Sequence, residues 1–216
     1  MPGKNLELLA GRPLLAYTCA AVQASARVTR AAVSTDSEDI AAAARALGVD
    51  APFLRPADLA ADDTAMLDVV QHALGELGDP DAVVLLQPTS PLRRGVHVDE
   101  AIELWAETGA DSIVSVVPVP HAFSPPSLLR LVEGRLVPYE RGQRPTRRQE
   151  KPTVYARNGP AVLVTRPATV RAGSLYGDDA RPYVMAPEDS IDIDDRFDLE
   201  LAEFLLVRGA CTRAPC

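Results

Sequence analysis

Short apolar runs alternate with amphipathic stretches along most of the chain. Runs without alternation are typical of strands buried on both faces of a sheet. Between them, apolar residues recur three and four apart and the pattern stops at Gly48, Gly78 and Gly109, which predicts amphipathic helices. The predicted strands lie at residues 28–34, 49–54, 83–86, 112–117, 161–165 and 183–185. The predicted helices begin near residue 13, after the capping residues 35–37 and 63–64, and at about 96 and 195.

Alternation of strands with helices predicts an α/β fold, namely a three-layer, doubly wound, mostly parallel sheet. The alternation stops at Pro118, and residues 128–137 predict a hairpin that turns at Glu133-Gly134. We therefore expect an arm that protrudes from the sheet. The predicted organisation is an α/β domain at 1–117 and 158–208, an insert at 118–157 and a tail at 209–216.

The strand that begins at Val83 is followed by Gln87-Pro88-Thr89-Ser90-Pro91. Two prolines cannot continue a central strand, so the chain must leave the sheet here. Ligands of open α/β sheets bind at the carboxyl ends of strands, and this stretch offers an amide, two hydroxyls and Arg93. An ordinary connection between a strand and a helix explains the same residues equally well.

The composition restricts the class of protein. The 216 residues are 47% hydrophobic, which supports a full core, and the net charge of −8 argues against a general nucleic-acid surface. We expect no transmembrane helix and no signal peptide, because no apolar run is long enough and the start lacks an apolar segment. Three cysteines in no metal-binding spacing favour a reducing cytoplasm.

One segment reverses the acidic balance. Residues 130–157 contain eight basic residues against three acidic ones, a net +5 within a chain of net −8. Such a patch suits a small anionic ligand or an acidic partner. A solvated basic loop is the other interpretation, and the seven arginines to one lysine favour the ligand.

Asp192 and Asp194 are two residues apart in Ser190-Ile191-Asp192-Ile193-Asp194-Asp195. In an extended segment both carboxylates face one side, where hard oxygen ligands could hold Mg²⁺ beside a phosphate. The competing interpretation is that Asp194 or Asp195 only caps the last helix.

The motifs together resemble the acylneuraminate cytidylyltransferase family, the CMP-sialic acid synthetases and their relatives. The matching stretches occur in family order and cover nearly the whole chain. They are PGKNLELLAGRPLLAYT, VSTDSEDIA, FLRPADLAADDTA, LLQPTSPLR, DSIVSV, RRQEKPTVYARNGP and YVMAPEDSIDIDDRFDLELAE.

The resemblance implies a nucleotide-diphospho-sugar transferase-like Rossmann variant that activates a nine-carbon 2-keto sugar acid with CTP. The products would be a CMP-sugar and pyrophosphate, and Mg²⁺ would be the cofactor. It also implies a cytoplasmic homodimer whose insert is a dimerisation arm reaching the neighbouring subunit's site, with no nucleic-acid or membrane partner. The motif positions assign the nucleotide to Lys4, Asn5, Arg55 and Thr64, the sugar acid to Gln87, Arg148 and Arg157, the metal to Asp192 and Asp194, and catalysis to Arg148 and Lys4.

The chain also departs from the family pattern. The family's opening strand and its phosphate-binding loop lie upstream of PGKN, and we expect no strand within residues 1–11. Met66-Leu67 replaces small hydroxyl residues, and Pro160 stands where alanine is frequent. The alternative is therefore a catalytically inactive, truncated homologue that binds a sugar acid without turnover. A less favoured one is a sugar nucleotidyltransferase that uses another nucleotide.

Overall fold

A five-stranded mixed sheet with helices on both faces forms the centre of the structure. The computed structural model describes residues 3–61, 63–139, 147 and 152–213. Its helices are α1 (Leu14–Ala24), α2 (Glu38–Ala46), α3 (Met66–Leu77), α4 (Gly95–Thr108), α5 (Pro167–Arg171) and α6 (Arg196–Arg213). Its strands are β1 (Leu8–Leu9), β2 (Arg12–Pro13), β3 (Val83–Leu85), β4 (Ser112–Pro118), β5 (Leu129–Val132), β6 (Arg135–Pro138), β7 (Tyr155–Arg157), β8 (Leu163–Thr165) and β9 (Ala180–Val184).

The strand directions correct the expectation of a mostly parallel sheet. β8 lies between β3 and β4 and is antiparallel to both, with Val84 opposite Val164 and Ile113 opposite Val164. β9 is parallel to β4, and β7 pairs antiparallel with the end of β4. An apolar run reports burial on both faces but carries no information on strand direction, so the sequence pattern could not reveal the antiparallel strand.

Two predicted strands form only single bridges. Residues 28–34 and 49–54 meet in parallel at Ala32–Asp50, and a second bridge, Thr35–Leu54, lies one residue beyond the first range, without a continuous ladder. In the part of the chain that the structure describes, the other edge of β3 has no partner. The expectation of no strand within residues 1–11 is also wrong in detail, because Leu8 pairs with Pro13 in the two-residue ladder of β1 and β2.

The alternation of side chains along β3 separates two cores. Val84 packs against the cluster of α4, β4 and β8, whose members Val98, Ile113 and Val164 are fully buried. Val83 points the other way and packs against the cluster of α3 and α5. Each fully buried Val or Ile contributes about 1.5–3 kcal/mol relative to exposure, so both layers fix the position of β3.

The helix ends mostly agree with the sequence. Ser37 caps α2 by accepting a hydrogen bond from the Ile40 amide, and Gly109 ends α4 in the left-handed region. The predicted cap at residues 63–64 is wrong, because α3 begins at Met66 and no side chain caps it. The amide of Thr64 instead closes a turn onto the carbonyl of Ala61.

The predicted hairpin is present within the insert. β5 and β6 pair antiparallel with Leu131 opposite Leu136, and the turn uses Glu133 and Gly134 at positive φ. The chain is back in the sheet at Tyr155, inside the range assigned to the arm. Of the helices described, none combines the length and the apolar character needed to cross a lipid bilayer.

Candidate active site

Two segments meet at the carboxyl end of β3 to form the centre of the candidate site. The first is the loop of Gln87 to Pro91, and the second is the extended segment of Ser190 to Asp194. The amide of Ile193 donates a hydrogen bond of 2.8 Å to the carbonyl oxygen of Thr89, which joins them. Gln87, predicted to bind the sugar acid, and Asp192 and Asp194, predicted to bind the metal, therefore lie in adjacent backbone segments.

Arg93 holds the loop of Gln87 to Pro91 in place through hydrogen bonds. Its guanidinium donates to the carbonyls of Gln87 at 3.1 Å and Ala161 at 2.8 Å and to the hydroxyl of Thr18 at 2.5 Å. The residue is only 3% exposed, and burial lowers the pKa of Arg93 to about 10. The interpretation of this stretch as an ordinary connection holds for Arg93, because the residue is buried and the two terminal nitrogens of its guanidinium bond to Gln87, Ala161 and Thr18.

Asn158 fixes the second segment. Its side-chain oxygen accepts a hydrogen bond of 2.6 Å from Ser115, and its side-chain nitrogen donates to the hydroxyl of Ser190 at 3.0 Å. Ser190 in turn donates to the carbonyl of Ala186. Asn158 is buried, so these bonds tie β4 to the beginning of the aspartate segment.

The aspartate segment alternates as its sequence predicts. Ile191 and Ile193 pack into the cluster with Leu9, Leu14 and other apolar residues, so the intervening carboxylates project from the other side of the chain. Asp192 is half-buried, and its Oδ1 atom is enclosed without a hydrogen bond in the described part of the chain. The side chain of Asp194 is 82% exposed.

Asp195 is the residue that caps α6. Its carboxylate accepts hydrogen bonds from the amides of Phe197 and Asp198 at 2.8 and 3.1 Å. The Asp198 carboxylate in turn accepts hydrogen bonds from the amides of Asp194 and Asp195. The capping interpretation is therefore confirmed for Asp195. No capping hydrogen bond is described for the side chains of Asp192 and Asp194, and their binding to a metal stays a prediction.

Lys4 lies against the aspartate segment. Its ammonium donates to the carbonyl of Ile193 at 3.2 Å and lies 3.6 Å from the carboxylate of Asp194. Asn5 follows within the same short 3-10 turn, Lys4–Leu6. The structure thus brings predicted nucleotide-binding residues beside predicted metal ligands.

Gln87 has its backbone held and its side chain nearly free. Its carbonyl accepts from Arg93 and from the amide of Ser90. Its side-chain oxygen accepts a long hydrogen bond of 3.4 Å from the hydroxyl of Thr89. The side-chain nitrogen is a donor suited to an anionic or carbonyl oxygen of a ligand.

Arg55 and Thr64 are held by contacts within their own region of the fold. The guanidinium of Arg55 is 3.4 Å from the Asp36 carboxylate, and its amide donates to the carbonyl of Thr35. The Nε atom of Arg55 is enclosed without a partner among the described residues. Thr64 lies in the turn before α3. No contact described for either residue joins it to Gln87 or Asp192, and their binding to the nucleotide stays a prediction.

Of the two arginines predicted to bind the sugar acid, only Arg157 lies among the described residues. Arg157 donates to the hydroxyl of Tyr176 at 2.6 Å and its guanidinium lies 5.3 Å from that ring centre. Arg148 lies outside the described residues. No contact described for Arg157 joins it to Gln87, and the assignments of both arginines stay predictions.

A polar cluster braces the turn that precedes the aspartates. The Asp189 carboxylate lies 3.2 Å from the guanidinium of Arg94 and 3.5 Å from Nε2 of His97. Burial lowers the pKa of His97, against the opposing effect of Asp189. Burial and the neighbouring Glu100, which accepts a hydrogen bond from the Tyr183 hydroxyl, raise the pKa of Tyr183. These contacts attach residues 187–189 to the beginning of α4.

The donor set at Asp192 and Asp194 fits a divalent cation that is shared with a substrate. Among the described residues, no group of three or more His, Cys, Asp or Glu side chains could hold a metal by itself. Mg²⁺, however, is usually bound through one or two carboxylates together with phosphate oxygens and waters. The enclosed, unpartnered oxygen of Asp192 is an atom that such a cation would satisfy.

The sequence did not indicate the structural roles of Asn158, Arg93 and Ser90, although Arg93 and the loop hydroxyls were named as possible ligand contacts. Asn158 and Arg93 orient the two segments of the site, and Ser90 lies buried beside Gly159. The signal for Asn158 was a polar residue between two apolar strand runs. The signal for Arg93 was absent, because an arginine after a loop is most often exposed.

Comparisons with known proteins point to one family. A family model described as Cytidylyltransferase matches residues 1–182. CMP-N,N'-diacetyllegionaminic acid synthase of Legionella pneumophila is 35% identical over 213 residues, 95% of this chain and 90% of that protein. N-acylneuraminate cytidylyltransferase of Escherichia coli O18:K1:H7 is 32% identical over 92% of this chain. The chain spans about half the length of that relative, 47%.

A solved structure shares the fold. CMP:2-keto-3-deoxy-manno-octonic acid synthetase complexed with CTP superposes with a TM-score of 0.74 over 97% of this chain and 93% of that one, at 17% identity. The family model and the two relatives above 30% identity decide the family. The chain belongs to the cytidylyltransferase family, and it is an enzyme of the N-acylneuraminate cytidylyltransferase type.

Proposed function

We propose that this enzyme transfers the CMP group of CTP to a nine-carbon 2-keto sugar acid in a Mg²⁺-dependent reaction. The observation that supports this most is the adjacency of Asp192 and Gln87, whose backbone segments are joined by the bond from Ile193 to Thr89. The enclosed oxygen of Asp192 suits a cation, and the amide of Gln87 suits a sugar acid. Two relatives are named for the synthesis of CMP-linked sugar acids of this size.

The reaction forms one bond and breaks another at the α-phosphorus of CTP. The anomeric hydroxyl oxygen of the sugar acid attacks this phosphorus and loses its proton. The bond to the oxygen that bridges the α- and β-phosphates breaks, and pyrophosphate leaves with the electron pair. In phosphoryl transfer the protein mainly positions these groups and stabilises their charge.

Different residues of the site are proposed to bind the metal, the nucleotide and the sugar acid. Asp192 and Asp194 would hold Mg²⁺, which when bound neutralises charge on the phosphate oxygens. Lys4 lies beside Asp194 and supplies a positive charge at the same edge. Gln87 would orient the sugar acid through its side-chain nitrogen. Arg148 and Arg157 are proposed to meet the carboxylate of the sugar acid, and Asn5, Arg55 and Thr64 to hold the nucleotide.

The insert is proposed to mediate a homodimer. The hairpin of β5 and β6 exposes apolar residues on a two-stranded ladder, which is too small to bury them by itself. A second copy would cover them and would bring the basic insert to the neighbouring site. The reaction is proposed to take place in the cytoplasm, where CTP is available.

The test is a pyrophosphate-release assay with CTP and a panel of sugar acids. The panel contains N-acetylneuraminate, N,N'-diacetyllegionaminate and, as an eight-carbon comparison, 2-keto-3-deoxy-manno-octonate. We expect Mg²⁺-dependent release with a nine-carbon acid and none when GTP or ATP replaces CTP. Release with another nucleotide instead of CTP would contradict the proposal.

The inactive alternative gives a different pattern in the same experiment. A homologue that only binds would show heat of binding with a sugar acid in calorimetry and no pyrophosphate at any Mg²⁺ concentration. Turnover of any sugar acid in the panel would exclude it.

A further inference from the structure

Ser90 is a buried hydroxyl in the loop that carries Gln87. It is 1% exposed, and its Oγ atom makes no hydrogen bond in the part of the chain that the structure describes. A hydroxyl has one donor and two acceptor sites, so leaving all of them unused in a buried place is uncommon. The hydroxyl of Ser90 can therefore still donate a hydrogen bond to a neighbouring acceptor.

The carboxylate of Asp192 also contains an unsatisfied buried atom, because its Oδ1 atom is enclosed and unpartnered among the described residues. Both side chains border Gly159, where an added Cβ would lie 3.0 Å from the Ser90 hydroxyl and 3.6 Å from Oδ2 of Asp192. Ser90 and Asp192 therefore border the same position, which has no side chain.

The backbone around these groups is fixed on each side. Thr89, which precedes Ser90, accepts the hydrogen bond from Ile193, which follows Asp192. Asn158, which precedes Gly159, is held by Ser115 and Ser190. With the backbone held, rotations of the two side chains are the movements that would bring the hydroxyl and the carboxylate into contact.

We propose that Ser90 is a positioning residue for Asp192. Its hydroxyl donates to Oδ2 of Asp192, the oxygen that borders Gly159, and thereby leaves the enclosed Oδ1 atom directed toward the divalent cation that binds with CTP. This inference rests on the proposed function, because it assigns Asp192 to that cation. Outer partners of metal-binding carboxylates typically change metal affinity by about 10–100-fold when they are removed.

The test compares Ser90→Ala with Thr165→Val. Thr165 in β8 is likewise fully buried with an unpartnered hydroxyl, so Thr165→Val is the matched loss of a buried hydroxyl. Mn²⁺ is titrated by electron paramagnetic resonance into each protein with CTP and without a sugar acid, so that no turnover occurs. We expect Ser90→Ala to weaken Mn²⁺ binding about tenfold or more and Thr165→Val to leave it unchanged.

Kinetics give a second readout. The Mg²⁺ concentration for half-maximal rate should rise in Ser90→Ala by a similar factor, while kcat at saturating Mg²⁺ falls much less. Ser90→Cys, which keeps the shape and a weak donor, should be intermediate and serves if Ser90→Ala does not fold. Wild-type Mn²⁺ affinity in both Ser90 variants, or a loss of kcat alone, would overturn the inference.

The same data separate this inference from the proposed function. If Asp192→Asn weakens Mn²⁺ binding and Ser90→Ala does not, the inference fails while the metal assignment stands. If Asp192→Asn leaves Mn²⁺ binding unchanged, the metal assignment fails and the role of Ser90 fails with it.

Discussion

The amide of Ile193 and the carbonyl of Thr89 are joined by a hydrogen bond of 2.8 Å. This bond connects the loop that presents Gln87 to the segment that presents Asp192. Because Ile193 is fully buried in the core cluster with Leu9 and Leu14, the connection cannot shift without disturbing that core. The structure therefore couples the proposed sugar-acid and metal positions through backbone rather than through side chains.

The first prediction separates metal binding from helix capping at the aspartates. Asp192→Asn should lower Mg²⁺-dependent turnover on the order of a hundredfold or more, because the charge that holds the cation is lost. Its melting temperature should change little. Asp195→Ala removes the acceptor for two amides of α6 and should cost about 0.5–2 kcal/mol of stability while leaving the Mg²⁺ dependence intact.

Thermal melts measured beside pyrophosphate release distinguish the two effects. A large loss of stability in Asp192→Asn with normal Mg²⁺ dependence would show that this carboxylate is structural. A loss of Mg²⁺ dependence in Asp195→Ala would show that the roles of the aspartates have been exchanged.

The second prediction concerns Gln87. Gln87→Glu places a negative charge against an anionic sugar acid, so the KM for the sugar acid should rise by roughly tenfold or more while the KM for CTP changes less. Gln23→Glu makes the same chemical change at an exposed position where the side chain donates to the Leu47 carbonyl. Equal effects of the two substitutions, or an effect of Gln87→Glu confined to CTP, would argue against sugar-acid contact at Gln87.

The third prediction is a pH dependence of stability that originates at His97. Arg94 and Asp189 face its ring, and Tyr183 packs beside it, but burial is the largest effect and lowers its pKa from 6.5. The unfolded chain then binds more protons than the folded one below about pH 6.5. Stability should therefore fall as the pH drops from 6.5 toward the folded-state pKa and should be fully present above 6.5.

Urea denaturation between pH 8 and pH 5 measures this dependence. His97→Gln should flatten the part of the curve below pH 6.5, whereas His121→Gln, which removes a histidine from the insert, should keep the wild-type slope. A slope unaffected by His97→Gln would assign the dependence to other groups.

The fourth prediction concerns the hairpin of the insert. Leu131 and Leu136 are opposite one another and are 74% and 70% exposed. The double substitution of both leucines by glutamate should convert a homodimer to a monomer in light scattering, because charges cannot be buried unpaired between two copies. Phe197→Glu changes an equally exposed apolar residue of α6, 71% exposed, and should leave the dimer intact. A monomeric wild-type protein at micromolar concentration would contradict the assignment.

The sequence predicted the structure correctly at positions where a local constraint acts on the chain. Alternation of Ile191 and Ile193 with two aspartates predicted which side chains enter the core, and the structure agrees. The two prolines after Gln87 correctly predicted where the chain leaves the sheet. In both cases a local constraint, either the two-residue period or the missing amide of proline, is sufficient to determine the local structure.

The pairing of strands and the long-range contacts could not be predicted from local sequence patterns. The direction of β8 depends on the path of the chain through the insert, which apolar periodicity does not encode. The burial of Arg93 depends on two acceptors from distant segments, Thr18 and Ala161, in addition to Gln87 of its own loop. Residues 28–34 and 49–54 are apolar enough for strands, yet only two bridges form between them.

The most direct test of the account is phosphorus NMR of CTP incubated with the protein, Mg²⁺ and a nine-carbon keto sugar acid. The account predicts that the three CTP resonances are replaced by one phosphodiester resonance of the CMP-sugar and by pyrophosphate in equal amounts, and that Asp192→Asn abolishes this conversion. Persistence of CTP with every nine-carbon acid tested, or its conversion to CDP and inorganic phosphate, would contradict it.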